Sequence, residues 1–347
     1  MTATNTAQHS TSELLTASKA NGKSPKCSFL SSDLARFGPH CKSPSVLSVS
    51  QASEYCRLLA ISHYENFSVA SRLIPRKTRP HFYHIYAYCR WADDLADEST
   101  TNQEALERLD WWEIELERCF NGEATHPVFV ALLSTLKTYP LRKQPFSDLL
   151  SAFRQDQSVN RYDTDSSLED YCRRSANPVG RILLQLANVD SDRCRAWSDS
   201  ICTSLQLINF AQDMSCDALM GRIYLPKSRW SRRGLSEQVI LERIGTEPLR
   251  QTVLDWIAEI RTGFYSGWVL TNHVPSWLSR DICLFAGGGL AIADAIAAKS
   301  GDVWSERVEV SKWSKLRILA RAMITRRPPK PVHTNQKTRA EREPRHA

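Results

Sequence analysis

The chain has 347 residues, of which 42% are apolar, 24% charged and 9% aromatic. These globular proportions exclude a wholly disordered, collagen-like or coiled-coil chain, and the 13 glycines and 16 prolines are few enough to favour helices over a turn-rich β architecture. The net charge is +7, but residues 326–347 hold +5 of it, so the body carries only +2 and is no basic nucleic-acid-binding surface.

Residues 1–45 are rich in Ser and Thr, with only Glu13 and Asp33 as acids, and show no apolar periodicity, which predicts a disordered extension. Helical periodicity then dominates over 49–62, 77–98, 102–121, 126–138, 145–158, 166–187, 194–219, 236–243, 247–272, 279–299 and 312–324. Asn102 is placed to cap the third of these. Pro178 predicts a kink or restart within 166–187. Residues 222–225, closed by Pro226, are the one short extended-looking piece. The prediction is a single all-α domain over 46–325. Residues 326–347, with Pro328, Pro329, Pro331 and Pro344, read as a disordered basic tail able to touch anionic lipid headgroups.

Ten cysteines include no CxxC pair, which excludes zinc-ribbon and thioredoxin-like readings and predicts free thiols in a reduced cytoplasmic compartment. The N-terminal segment lacks the basic stretch and apolar core of an export signal. The most apolar run, Ile282 to Ala298, is broken by Gly287-Gly288-Gly289 and Asp294 and falls short of the roughly 20 apolar residues of a membrane span. Membrane contact is therefore expected to be peripheral, at the inner face. Close helix packing accounts for the glycine triplet. No GxGxxG after a strand, no GxxxxGK[ST] and no GxSxG occurs. His81 and His84 have no third ligand at transition-metal spacing.

Two helices carry narrow polar stripes on otherwise apolar surfaces. Along 81–98, Tyr86, Arg90, Asp93 and Asp97 share one face at about 100° per residue. Along 201–217, Gln206, Asn209, Asp213 and Asp217 do the same. A solvent-facing side of an amphipathic helix explains one such stripe. Two of them, narrow and flanked by apolar residues, suit an interior cavity better, and buried carboxylates are costly unless paired or bound to metal. Asp pairs at i,i+4 can hold Mg²⁺ together with a substrate diphosphate, and Arg90 beside them can bond phosphate oxygens. Such a cluster neutralises a leaving diphosphate as its C–O bond ionises.

At these residues the chain resembles the squalene/phytoene synthase family. The matching pieces are YAYCRWADDLADE (86–98), YCRRSANPVG (171–180), QLINFAQDMSCD (206–217) and GRIYLP (221–226), in the family's order and spanning most of the folded region. Within the family, HYENFSVASRLIPRKTRPHF (63–82) and YCRRSANPVGR are similar to the bacterial hydroxysqualene synthase branch of hopanoid biosynthesis, with Ser68 where that branch usually shows Pro. Ala211 departs from a position where the branch often has a bulky aromatic. The resemblance implies an all-α prenyl-synthase fold with a central cavity. It implies Mg²⁺ bound by Asp93, Asp97, Asp213 and Asp217. It places His63, Arg90, Arg222 and Tyr224 around the diphosphate, and Tyr86, Tyr171, Gln206 and Asn209 around the reacting carbons.

In that branch the implied reaction converts presqualene diphosphate to hydroxysqualene and diphosphate, with water capturing a rearranged carbocation. Aromatic faces can stabilise such a cation. The rival within the family is head-to-head condensation of two prenyl diphosphates, to presqualene diphosphate, squalene or phytoene, which the Asp motifs do not distinguish. A non-catalytic assembly protein of the same fold is expected to lack an Asp motif, whereas both are intact. A head-to-tail prenyltransferase is disfavoured because the second motif is QDMSCD rather than DDxxD. Nothing in the residues sets an oligomeric state.

Overall fold

The computed structural model describes residues 29–41, 46–62 and 73–330. Among them the regular elements are helices: α1 (Phe29–Phe37), α2 (Val49–Ser62), α3 (Arg79–Asp97), α4 (Asn102–Phe120), α5 (Pro127–Leu136), α6 (Gln144–Gln155), α7 (Asp165–Ser175), α8 (Asn177–Leu186) and α9 (Asp192–Leu219). Two short helices, α10 (Lys227–Ser231) and α11 (Glu237–Leu241), lead to α12 (Glu247–Gly267), a 3₁₀ turn (Trp268–Asn272), α13 (Ser276–Ala298) and α14 (Lys312–Ile324). Extended pairing among the described residues is limited to a parallel bridge between Arg161 and Ile223, within the stretch that looked extended in sequence.

Side-chain caps set several of the starts. Thr101, not Asn102, caps α4 by accepting the Glu104 N–H at 3.1 Å. Asn102 instead donates its side-chain amide to the Gln157 carbonyl at 2.6 Å. Thr164 and Ser167 close a capping box on α7, and Ser191 accepts the Cys194 N–H to start α9. The chain breaks between α7 and α8 at Ala176, two residues before Pro178, because proline is tolerated only in a helix's first turn.

The disordered reading of 1–45 fails at 29–37. There α1 packs against α3, and Tyr55 of α2 donates a 2.6 Å hydrogen bond to the buried carboxylate of Asp33. A nine-residue helix is too short for a periodicity signal, and α2 and α3 supply the surface on which its buried Phe37 packs.

Two apolar clusters form the core. One joins α2 to α6 around Tyr88, Trp91, Trp112, Phe129 and Phe146; the other joins α7, α9 and α12 to α14 around Phe210, Trp256, Phe264 and Trp268. Helix α8 serves both, with Ile182 and Leu186 in the first and Leu184 in the second. Helix α6 packs on α3, on α7 and on α8, and α7 and α8 pack on α9. One described helix, α13, is long and apolar enough to cross a membrane, but most of it is inside the protein.

The first cluster holds two buried imidazoles. His84 Nδ1 lies 2.8 Å from Thr135 Oγ1, and His126 Nδ1 accepts the Val128 N–H at 3.2 Å, capping α5 amid the rings of Trp91 and Trp112. Burial pushes His84 down to about 4 and His126 down to about 3. Both values lie below the unfolded value near 6.5, so the unfolded chain binds more protons at mildly acid pH. The stabilisation is therefore complete above pH 6.5 or so and is lost as pH falls toward the folded values. Each histidine should cost about 2 kcal/mol of stability between about pH 7.5 and about pH 5. His126→Asn keeps a capping oxygen without a titrating ring. Denaturation midpoints of that variant should show a correspondingly shallower acid slope, and an unchanged slope would contradict the assignment.

Candidate active site

Helix α3 presents Tyr86, Arg90, Asp93 and Asp97 as the sequence predicted, with Asp93 buried and the other three half-buried. Arg90 is already engaged. Its Nε donates to Asp94 at 3.0 Å, its terminal nitrogen pairs closely with the same carboxylate, and its other terminal nitrogen lies 3.5 Å from Asp93. Asp94, next to the stripe, is buried and sets the geometry of Arg90. Burial pushes its carboxyl up to about 7 against the opposing pull of Arg90, with Glu98 and Asp97 adding to the rise. Burial also raises Tyr86 well above the usual phenol range.

On α9, Gln206, Asn209 and Asp217 are all buried, and Asp213 is half-buried. Two buried oxygens on this face, Gln206 Oε1 and Asp217 Oδ2, have no hydrogen-bond partner among the described residues. Burial, reinforced by the charge of Asp213, pushes Asp217 up to about 8, while Arg222 and Arg307 pull the other way. Asp213 is held by Arg307, whose Nε donates at 2.7 Å and whose terminal nitrogen lies 3.4 Å from the second oxygen. The strap carrying Arg307 is pinned by Gln212, which donates to the Val308 carbonyl at 2.6 Å.

Arg307 is the residue that sequence reasoning missed. It lies 94 positions from Asp213, in a segment with no motif of its own, and only the fold brings the two together.

An aromatic wall adjoins this face. Tyr224 stacks on Phe210 with ring centroids 3.8 Å apart and planes 7° from parallel. Tyr171 lies 6.2 Å from Phe210 and 6.4 Å from Tyr224 between centroids, and Tyr162 stacks behind Tyr224 at 5.9 Å. Tyr171 donates to Asp156 Oδ2 at 3.0 Å, which fixes its ring. Arg222 is tied to the end of α9 by its backbone N–H, which donates to the Asp217 carbonyl at 2.8 Å. The fold therefore gathers Tyr171, Tyr224 and Arg222 with the α9 stripe, and Tyr86 and Arg90 with the α3 stripe. His63 and the rest of 63–72 lie outside the described residues.

Among the described residues no three His, Cys, Asp or Glu side chains cluster to form a metal cage. Helices α3 and α9 each offer a carboxylate pair. Such pairs fit Mg²⁺, which binds through one or two carboxylates and completes its shell with waters and phosphate oxygens. The orphaned Asp217 oxygen beside the charge of Asp213 is what a cation would relieve.

The squalene/phytoene synthase description matches residues 61–314. The chain is 32% identical over 302 residues to the 15-cis-phytoene synthase of Synechococcus elongatus, covering 82% of this chain and 97% of that protein. It is 38% identical over 193 residues to the hydroxysqualene synthase of Zymomonas mobilis, covering 54% of this chain and 64% of the relative. The crystal structure of squalene synthase HpnC from Alicyclobacillus acidocaldarius superposes with a TM-score of 0.71 at 41% identity, over 73% of this chain and 95% of that one. The helical layout is the isoprenyl-synthase-like fold of these structures. With paired carboxylates on two helices, an aromatic wall beside one of them and a match over most of its length, the chain belongs to the squalene/phytoene synthase family.

Proposed function

We propose that the protein is a Mg²⁺-dependent hydroxysqualene synthase, converting presqualene diphosphate to hydroxysqualene and diphosphate. The observation that carries the reading is the higher identity to squalene-branch proteins, 41% and 38%, than to the phytoene synthase at 32%. In this reading Asp93, Asp97, Asp213 and Asp217 hold Mg²⁺, which neutralises the departing diphosphate. His63, Arg90, Arg222 and Tyr224 bind its oxygens. Tyr86, Tyr171, Gln206 and Asn209 surround the carbocation, and the wall of Tyr171, Phe210 and Tyr224 offers it aromatic faces and excludes bulk water. The orphaned Gln206 oxygen is a free acceptor in that space, suited to orienting the capturing water. The setting is cytoplasmic, with peripheral contact at the membrane.

The second reading is head-to-head condensation of prenyl diphosphates, favoured by the near-complete coverage of the cyanobacterial phytoene synthase. One experiment separates them. Purified protein is incubated with presqualene diphosphate, and separately with farnesyl or geranylgeranyl diphosphate, with Mg²⁺ and without NADPH, in H₂¹⁸O. The proposal expects presqualene diphosphate to give an alcohol carrying ¹⁸O. Hydrocarbon product, an NADPH requirement, or consumption of only the simple prenyl diphosphates would overturn it, the last result moving the protein to the condensing branch.

A further inference from the structure

Helix α14 has two apolar faces, and only one of them is used. At about 100° per residue, Ile318 and Ala322 fall on one side. Ala322 is buried and Ile318 packs against the core through α13, where a Cβ at Gly287 would sit 3.2 Å from the Ile318 side chain. On the opposite side, Trp313, Leu316, Ala320, Met323 and Ile324 form a stripe about 100° wide. Trp313 is 77% exposed, Leu316 56%, Met323 46% and Ile324 84%, the densest run of exposed large apolar side chains among the described residues.

The charge around that stripe is one-sided. Lys312 borders one edge, and Arg317 and Arg321 border the other. From Val310 to Lys330 there are seven Lys and Arg residues and no Asp or Glu. A second copy of the chain would set this strip against itself, charge against like charge, at a two-fold interface. An exposed Trp and aliphatic stripe flanked by cations is instead the pattern of a helix lying in a lipid interface, with rings and methyls among the acyl chains and cations at the headgroups.

We infer that α14 is a docking helix for an anionic lipid surface. The surface is folded and preformed, and it is distinct from the tail at 326–347, to which the sequence assigns this role. Its place in the chain matters for the site. Helix α14 begins five residues after Arg307, so at most about 17 Å of chain separates the Asp213 ion pair from the docked helix. The inference stands on the exposed face and its charge, independently of which diphosphate the protein consumes.

The test is flotation of the full chain with vesicles of phosphatidylglycerol and phosphatidylcholine in equal parts, against vesicles of phosphatidylcholine alone. Binding is expected only to the anionic vesicles and should weaken with added salt. Partitioning should fall by at least about tenfold in Trp313→Ser/Leu316→Ser/Ile324→Ser and likewise in Lys312→Glu/Arg317→Glu. Melting temperatures of both variants should stay at the parent value, since these side chains are exposed, which separates lost docking from lost folding. Absent or equal binding to the two vesicle types would overturn the inference, as would variants that bind like the parent. Binding abolished in Lys337→Gln/Arg339→Gln/Arg342→Gln/Arg345→Gln but kept in both α14 variants would return the role to the tail. A concentration-dependent dimer in light scattering, lost with Trp313→Ser, would assign the face to a second copy.

Discussion

Asp93→Asn and Asp213→Asn should each lower turnover by about 10²-fold or more, equivalent to about 2.7 kcal/mol of transition-state stabilisation, while the protein stays folded. Asparagine keeps the size of the side chain and one oxygen but removes the negative charge a hard cation needs. The Asp213 variant frees Arg307, which is half-exposed and can turn to solvent, so little stability is at risk. Asp217→Asn sharpens the comparison. That carboxyl is buried with an orphaned oxygen, so it contributes nothing to folding that an amide would forfeit. A large fall in turnover at an unchanged melting temperature would place Asp217 in diphosphate ionisation rather than in the core. Raising Mg²⁺ should recover part of the lost rate. Unchanged turnover in all three variants, or full activity of the parent in EDTA, would remove the metal from the reading.

The two stripes were legible because a helix repeats every 3.6 residues and polar groups on apolar helices stand out. Tyr86, Arg90, Asp93 and Asp97 do share a face of α3, and Gln206, Asn209, Asp213 and Asp217 do share a face of α9. What periodicity does not carry is the relation between helices. Each helix contributes its own Asp pair, and among the described residues no three acids cluster. Arg307 was invisible for the same reason: an ion pair across 94 positions leaves no local signal. Arg90 stands beside the carboxylates as the sequence places it, and the fold adds its pairing with Asp94 and Asp93.

Helix boundaries came within a few residues where apolar periodicity was long, as in α4 and α9, and failed where it was short. Helix α1 and the five-residue α10 were missed, since neither buries enough to impose a repeat. The region predicted as one helix over 247–272 is α12 followed by a 3₁₀ turn, because Trp268 starts a tighter winding whose indole N–H donates to the Arg326 carbonyl at 2.7 Å. That bond also ties residue 326 to the domain, one residue past the expected boundary at 325.

The glycines that matter most for the site were not the ones that caught the eye. Gly289 does meet a neighbour, the ring of Phe264, but Gly263 and Gly267 govern the approach of α12 to α9. They stand four residues apart on α12, facing Ser200, Ser204, Trp197 and Ile201 of α9. A Cβ at Gly267 would lie 2.5 Å from the Ile201 side chain and 2.6 Å from the Trp197 carbonyl oxygen. A side chain can swing away, but a helix carbonyl cannot. Relief therefore requires α12 to back off from α9, against the 2.9 Å hydrogen bond from Ser200 to the Gly263 carbonyl. Gly267→Ala should gain about 1 kcal/mol of helix propensity and lose about 3 kcal/mol to overpacking, for a net cost of about 2 kcal/mol. In a domain of this size that lowers the melting temperature by about 3–4 °C. Gly122→Ala makes the control. Its φ of 92° strains the backbone, but nothing lies within 4 Å of the new methyl, so its cost is conformational only. Because α9 carries Asp213 and Asp217, displacement by Gly267→Ala should also raise the Mg²⁺ concentration needed for half-maximal turnover, which Gly122→Ala should leave alone. A Gly267→Ala variant that melts with the parent would mean that the two helices are not held at contact distance by these glycines.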